Sequence, residues 1–162
     1  MTSEPPLPIE DLASRLQPGA RLLGLDVGTK TVGLALSDVT RTIATPYETL
    51  RRAKFTADAK IIAAIVGKEG VGGLVIGMPL NLDGSEGPRA QSTRAFARNL
   101  AVHVAVPMAF WDERLSTAAV QRHLIEADAS RKRRAEVVDR MAAAYILQGA
   151  LDRLKRLGPP PA

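Results

Sequence analysis

A chain of 162 residues, 46% of them hydrophobic, can build one domain with a genuine core and is too apolar to be disordered. It contains no cysteine, which excludes a disulfide scaffold, a cysteine nucleophile and a thiolate zinc site, and fits a reducing, cytoplasmic setting. The net charge of +5 and the pI of about 10.0 favour a polyanionic partner, of which nucleic acid is the commonest.

Residues 1–19 are polar and proline-bearing, unlike a signal peptide, and are expected to form a flexible N-terminal extension. The domain should then occupy 20–157, followed by a disordered tail at 158–162. No internal repeat is visible, and no apolar run approaches the ~20 residues needed to cross a bilayer. Leu22 to Asp26 reads as a central strand, a nearly continuous apolar run that ends on an aspartate. Gly28 supplies a tight turn. In Thr31 to Ser37, Val32, Leu34 and Leu36 alternate with Gly33, Ala35 and Ser37, the period of a strand. Thr42 to Leu50 is expected as a third strand, with Pro46 marking an irregular or edge position.

The period then changes. Ala57 to Lys68 carries Ile61, Ile62, Ile65 and Val66 at helical spacing, with Thr56 as N-cap and Gly72 and Gly73 as breakers. Leu74 to Gly77 is a short buried strand, and Gly77 to Pro88 is a turn-rich loop whose Asn81, Asp83 and Glu86 either meet substrate or merely shape turns. Pro88 opens a helix through Ala95, Phe96 and Leu100. A strand beginning at Val106 or Met108 ends at Trp111, Ser116 caps a helix reaching about Ala127, and a last helix spans Ala135 to Leu157. A hairpin followed by helix–strand alternation implies an α/β fold with a five-stranded mixed sheet, its second strand antiparallel to the rest and helices on both faces. Arg51, Arg52 and Lys54 form one basic cluster. Arg131, Lys132, Arg133 and Arg134 form another.

Three acids stand out. Asp26 ends one strand, Asp112 and Glu113 end another, and sheets of this kind build sites outside the carboxyl ends of their strands. Asp139 is the third: at 100° per residue its helical face holds Ala135, Ala142, Ala143, Ile146 and Ala150, all apolar. Gln148 and Lys155 fall on the opposite, wetter side. Each acid has a bland reading alone. Asp26 can form a turn, Asp139 can meet a hydroxyl or an arginine, and charged triplets such as Asp112-Glu113-Arg114 are common. Together they form a carboxylate set suited to a hard ion such as Mg²⁺ and to phosphate chemistry. His103 and His123 lack metal-ligand spacing and read as surface residues. Trp111 reads as core.

The stretches GLDVGTKTVGLALSD, VIGMPLNLDGSEGP, WDERLST and VVDRMAAAYILQ resemble the four blocks of the YqgF family, over about Arg21 to Leu151. That resemblance implies an RNase H-like fold related to RuvC-type Holliday-junction resolvases and a hydrolase that processes pre-16S rRNA during ribosome maturation in the cytoplasm. It also implies Mg²⁺ or Mn²⁺ held by Asp26, Glu113 and Asp139. Lys30, Arg114 and the run Arg131 to Arg134 are expected to contact the nucleic acid. Two departures accompany it. The family usually has Lys-Arg after the glycine turn, where this chain has Lys30-Thr31. RuvC-type resolvases carry an acid just after the fourth strand, where this chain has Gly77-Met78 and brings Glu113 one strand later. The competing readings are a DNA junction resolvase, a non-catalytic RNA-binding module and an actin-like ATPase. The last needs two such domains, and the GTKT stretch lacks the full P-loop pattern. Monomer and homodimer both remain open.

Overall fold

The computed structural model describes residues 6–115 and 131–158, with side chains described for 6–115 and 140–158. Five strands form one sheet: β1 (Arg21–Val27), β2 (Thr31–Ser37), β3 (Ala44–Arg51), β4 (Val71–Met78) and β5 (Met108–Asp112). Their order is β3-β2-β1-β4-β5, with β2 antiparallel to β1 and β3, and β4 and β5 parallel to β1. The four described helices are α1 (Ile9–Ala13), α2 (Phe55–Glu69), α3 (Pro88–Leu100) and α4 (Arg131–Leu157). The helix expected from Ser116, and His123 with it, lies outside the described residues.

The alternation read from the sequence sorts side chains onto two faces. Leu23, Leu25, Val32, Leu34 and Ile76 pack against Ile62 and Ile65 of α2 and Phe96 and Leu100 of α3. Leu22, Ala35, Val75 and Trp111 pack on the other face, against Ala143, Ile146, Leu147 and Ala150 of α4. The result is a three-layer sandwich in which β1 is buried on both sides. Gly24 lets α4 lie close, because a Cβ there would stand 2.8 Å from Leu147 Cβ and 3.1 Å from the Ala143 carbonyl.

Several boundaries differ from expectation, each for a visible reason. The N-terminal segment is not a loose extension over its described part. Leu7 donates its N–H to the Met108 carbonyl at 2.7 Å and bridges to Ala109, covering the free edge of β5. Ile9 and Leu12 of α1 are buried beneath it, each burial contributing about 2 kcal/mol. Gly72 and Gly73 do not break a helix. Gly70, at φ +65°, ends α2, and β4 begins at Val71. Both glycines lie inside the strand, where a Cβ on Gly72 would meet Ala20 Cβ at 2.7 Å. α2 starts at Phe55, one residue before Thr56, and Ile61 faces solvent. The carboxylate that serves this end is buried Asp58, accepting from the Ala53 N–H at 3.2 Å. β3 begins at Ala44, and Pro46 sits at a bulge opposite Ala35 on the sheet edge, as its lack of an N–H requires. Gln148 is not simply wet: it accepts from Ala44 N–H at 2.9 Å and donates to the Thr42 carbonyl at 3.0 Å, closing α4 onto β3.

Candidate active site

Asp26 is the sixth residue of β1, and alternation turns its side chain to the α4 face, beyond Leu22 and Gly24. It is 4% exposed. A carboxylate this buried is costly without a compensating partner. Its cross-strand neighbour on β2 is Gly33. On β4, the ladder pairs Leu25 with Ile76, so the next rung brings Gly77 alongside. Asp26 is therefore flanked on both neighbouring strands by residues with no side chain.

The place over Gly77 is filled from beyond a third strand. β5 ends at Asp112, and Glu113 opens a short 3₁₀ turn over Glu113–Leu115. A Cβ on Gly77 would stand 2.9 Å from Glu113 Oε1, 3.3 Å from Glu113 Cγ and 2.5 Å from Ile146 Cδ1. The Glu113 side chain thus lies over Gly77, at the strand end where Asp26 also sits. An acid missing from the end of the fourth strand is supplied there from the fifth. Both groups are hard oxygen donors, and the bare Gly77 backbone gives the second one its place. This donor chemistry fits an ion of the Mg²⁺ or Mn²⁺ class.

The third expected acid, Asp139, stands on α4 one turn before Ala143, whose carbonyl abuts Gly24. Its side chain, like those of Arg131, Lys132, Arg133 and Arg134 at the start of α4, lies outside the described residues. Of its expected stripe, Ala142, Ala143, Ile146 and Ala150 are buried, the last three against the sheet, and the Ala135 side chain lies outside the described residues. Among the described residues no group of three or more His, Asp or Glu comes together as a metal site.

The expected nucleic-acid contacts divide. Lys30 is exposed in the β1–β2 turn. Arg52, from the first basic cluster, is structural: it donates to the Gly28 carbonyl at 2.7 Å and lies over the Phe96 ring at 5.4 Å, pinning that turn. Arg114 is engaged as well. Its Nε reaches Asp112 Oδ1 at 3.0 Å, its Nη2 reaches Oδ2 at 2.7 Å, and its Nη1 donates to the Leu82 carbonyl at 3.2 Å. These bonds hold the Asp112 carboxyl below the usual carboxylate range. Sequence reasoning placed Asp112 only as a strand-end acid and Gly77 only as the place of an absent one, and it gave Gly33 no role beyond strand alternation.

A model of the RuvX family, described as Holliday junction resolvase, matches residues 20–153. A protein of Paramagnetospirillum magneticum named "Putative pre-16S rRNA nuclease" is 68% identical over 145 residues, covering 90% of this chain and 93% of that one. One of the same name from Methylocella silvestris is 60% identical over 151 residues, covering 93% and 94%. Among solved structures, T. thermophilus RuvC in complex with a Holliday junction substrate matches with a TM-score of 0.55 at 12% identity, over 86% of this chain and 96% of that one. At that identity the likeness speaks for the fold, which is the RuvC-like, RNase H-like one. With most of its length matched by the family model and by two highly identical relatives, the chain belongs to the RuvX family, the group its YqgF-like motifs resemble.

Proposed function

We propose that this protein is a divalent-metal-dependent nuclease that hydrolyses phosphodiester bonds and matures the 5′ end of pre-16S rRNA in the cytoplasm. The observation that carries the reading is the carboxylate pair at one strand end: Asp26 buried between two glycines, with Glu113 laid over one of them. Asp26, Glu113 and Asp139 would hold Mg²⁺ or Mn²⁺, which when bound supplies an activated water and charge stabilisation for the leaving oxygen. The residues themselves do the rest. The sheet fixes Asp26, so its carboxylate needs no reorganisation during the reaction. Apolar α4 side chains exclude bulk water from one side. Lys30 and the run Arg131 to Arg134 would hold the phosphates flanking the cut. Hydrolysis adds water across one phosphorus–oxygen bond, leaving a phosphate on one product and a hydroxyl on the other.

The RNA substrate rests on the names of the relatives at 60–68% identity. A second reading, a DNA junction resolvase, rests on the family description, and it requires a symmetric homodimer to cut two strands. Incubating the protein with Mg²⁺ or Mn²⁺ and, separately, a pre-16S rRNA leader, single-stranded DNA and a four-way junction decides. Cleavage of the leader by a monomer supports the first reading, and paired cuts in the junction by a dimer support the second. No cleavage of any of the three contradicts both.

A further inference from the structure

Glu113 is bracketed by two residues that bond to each other, and the bond extends to a distant loop. Asp112 Oδ1 accepts from the Arg114 backbone N–H at 3.0 Å, a side-chain-to-backbone bond that folds the chain into the turn carrying Glu113. The same carboxylate receives the Arg114 fork at 3.0, 3.1 and 2.7 Å. The remaining guanidinium nitrogen, Nη1, donates to the Leu82 carbonyl. That loop is internally ordered: Asn81 N–H donates to the Ser85 carbonyl and Gly84 N–H to the Asn81 carbonyl, both at 2.9 Å. Gly84, at φ +88°, faces the guanidinium, where a Cβ would stand 3.5 Å from Arg114 Nη1. Glu86 pairs with Arg94 of α3 and ties down the far side of the loop. At the tip Leu82 is 96% exposed.

We propose that Asp112 and Arg114 are positioning residues: their bidentate pair sets the Glu113 carboxylate over Gly77 and latches the 81–87 loop beside the same site, so that loop and acid move together. Arg114 acts here through its fork rather than as a free phosphate contact. The proposal rests on the nuclease reading for its kinetic consequence but not for its geometry. It separates sharply from a phosphate-binding role. A lysine keeps the charge but cannot reproduce the planar fork. Replacing Asp112 by asparagine removes a negative charge near a polyanion, so a phosphate-binding Arg114 would then bind substrate more tightly.

The test compares wild type with Asp112→Asn, Arg114→Lys and the double variant, on whichever of the three nucleic acids the wild type cleaves. Each single change should lower kcat by at least about tenfold while KM moves by less than about threefold. The double variant should be no worse than the poorer single, since both break one unit. Each variant should also show a smaller Mg²⁺-induced rise in melting temperature, and faster limited proteolysis within 81–87. Arg114→Lys with wild-type kcat, or Asp112→Asn with unchanged kcat and lowered KM, overturns the proposal while leaving the nuclease reading intact. If the wild type neither cleaves nor is stabilised by Mg²⁺ or Mn²⁺, the nuclease reading fails and the kinetic part falls with it. Proteolysis then decides the latch alone, and unchanged protection of the loop overturns it.

Discussion

The two ends of the sheet each carry an aspartate at or beside a strand end, and they use it in opposite ways. At one end Asp38 follows β2. It is partly exposed and accepts from three local donors: Ile43 N–H at 3.0 Å, Thr42 N–H at 2.7 Å and the Thr40 hydroxyl. Those bonds, led by the Ile43 N–H, pull its pKa down to about 2. At the other end Asp26 lies inside β1, buried on the α4 face, flanked by Gly33 and Gly77 and near a second carboxylate from β5. Burial alone does not separate the roles. Asp58 is as buried as Asp26, yet it serves the start of α2. What distinguishes Asp26 is the pair of glycines beside it and the acid laid over one of them from elsewhere in the chain.

The sharpest way to break this contrast is to neutralise Asp26. Asp26→Asn should lower cleavage by at least ~10³-fold, about 4 kcal/mol of transition-state stabilisation, and leave the fold intact. Circular dichroism beside a nuclease assay checks both halves. The next effect concerns binding. Reversing Arg131 to Arg134 to acids should weaken affinity for all sequences alike by roughly 10²-fold at moderate salt. The salt slope should become shallower by about one unit per lost phosphate contact. Titrations at several salt concentrations read this, and unchanged binding would make the run a solvated helix start. A smaller effect tests the Gly77 cradle. Gly77→Ala should cost about 1–3 kcal/mol, because its methyl collides with Ile146 Cδ1 and Glu113 Oε1. It should also cut cleavage by about tenfold by displacing Glu113. Adding Ile146→Val should recover stability in a denaturant melt without recovering cleavage.

The smallest effect belongs to the opposite end. Asp38→Ala should lower the melting temperature at neutral pH and leave cleavage unchanged. The folded-state pKa is depressed, so the contribution of Asp38 is present above its ordinary value of 3.8 and is lost as pH falls through about 2. The melting difference between Asp38→Ala and wild type should therefore close on acidification over that window. A difference that persists unchanged at pH 2 would show that the turn does not rely on the charged carboxylate.

Much of this contrast was legible in the sequence because it follows local periods. The alternation of Val32, Leu34 and Leu36 named the buried face of β2, and the alanine stripe with Ile146 named the sheet-facing side of α4. Pro88 marked the start of α3. What escaped was non-local. Leu7 and α1 are short and polar-flanked, and their contacts with β5 and α4, far along the chain, order them. Gly72 and Gly73 read as breakers because nothing near them in sequence shows that Ala20 needs the space over the first and Leu12 and Leu22 the space over the second. The bond from Arg114 to the Leu82 carbonyl was out of reach as well, because Leu82 lies in a loop that no local pattern places beside it.

The most direct test of the account is calorimetry of wild type and Asp26→Asn with and without Mg²⁺ or Mn²⁺. An ion that binds only the folded state should raise the wild-type melting temperature by several degrees at saturating concentration. Asp26→Asn without metal should melt at or above the wild-type temperature, since one like charge has gone, and should gain little from metal. An Asp26→Asn protein that fails to fold, beside a wild type indifferent to metal, would make Asp26 a structural group like Asp58 and contradict the account.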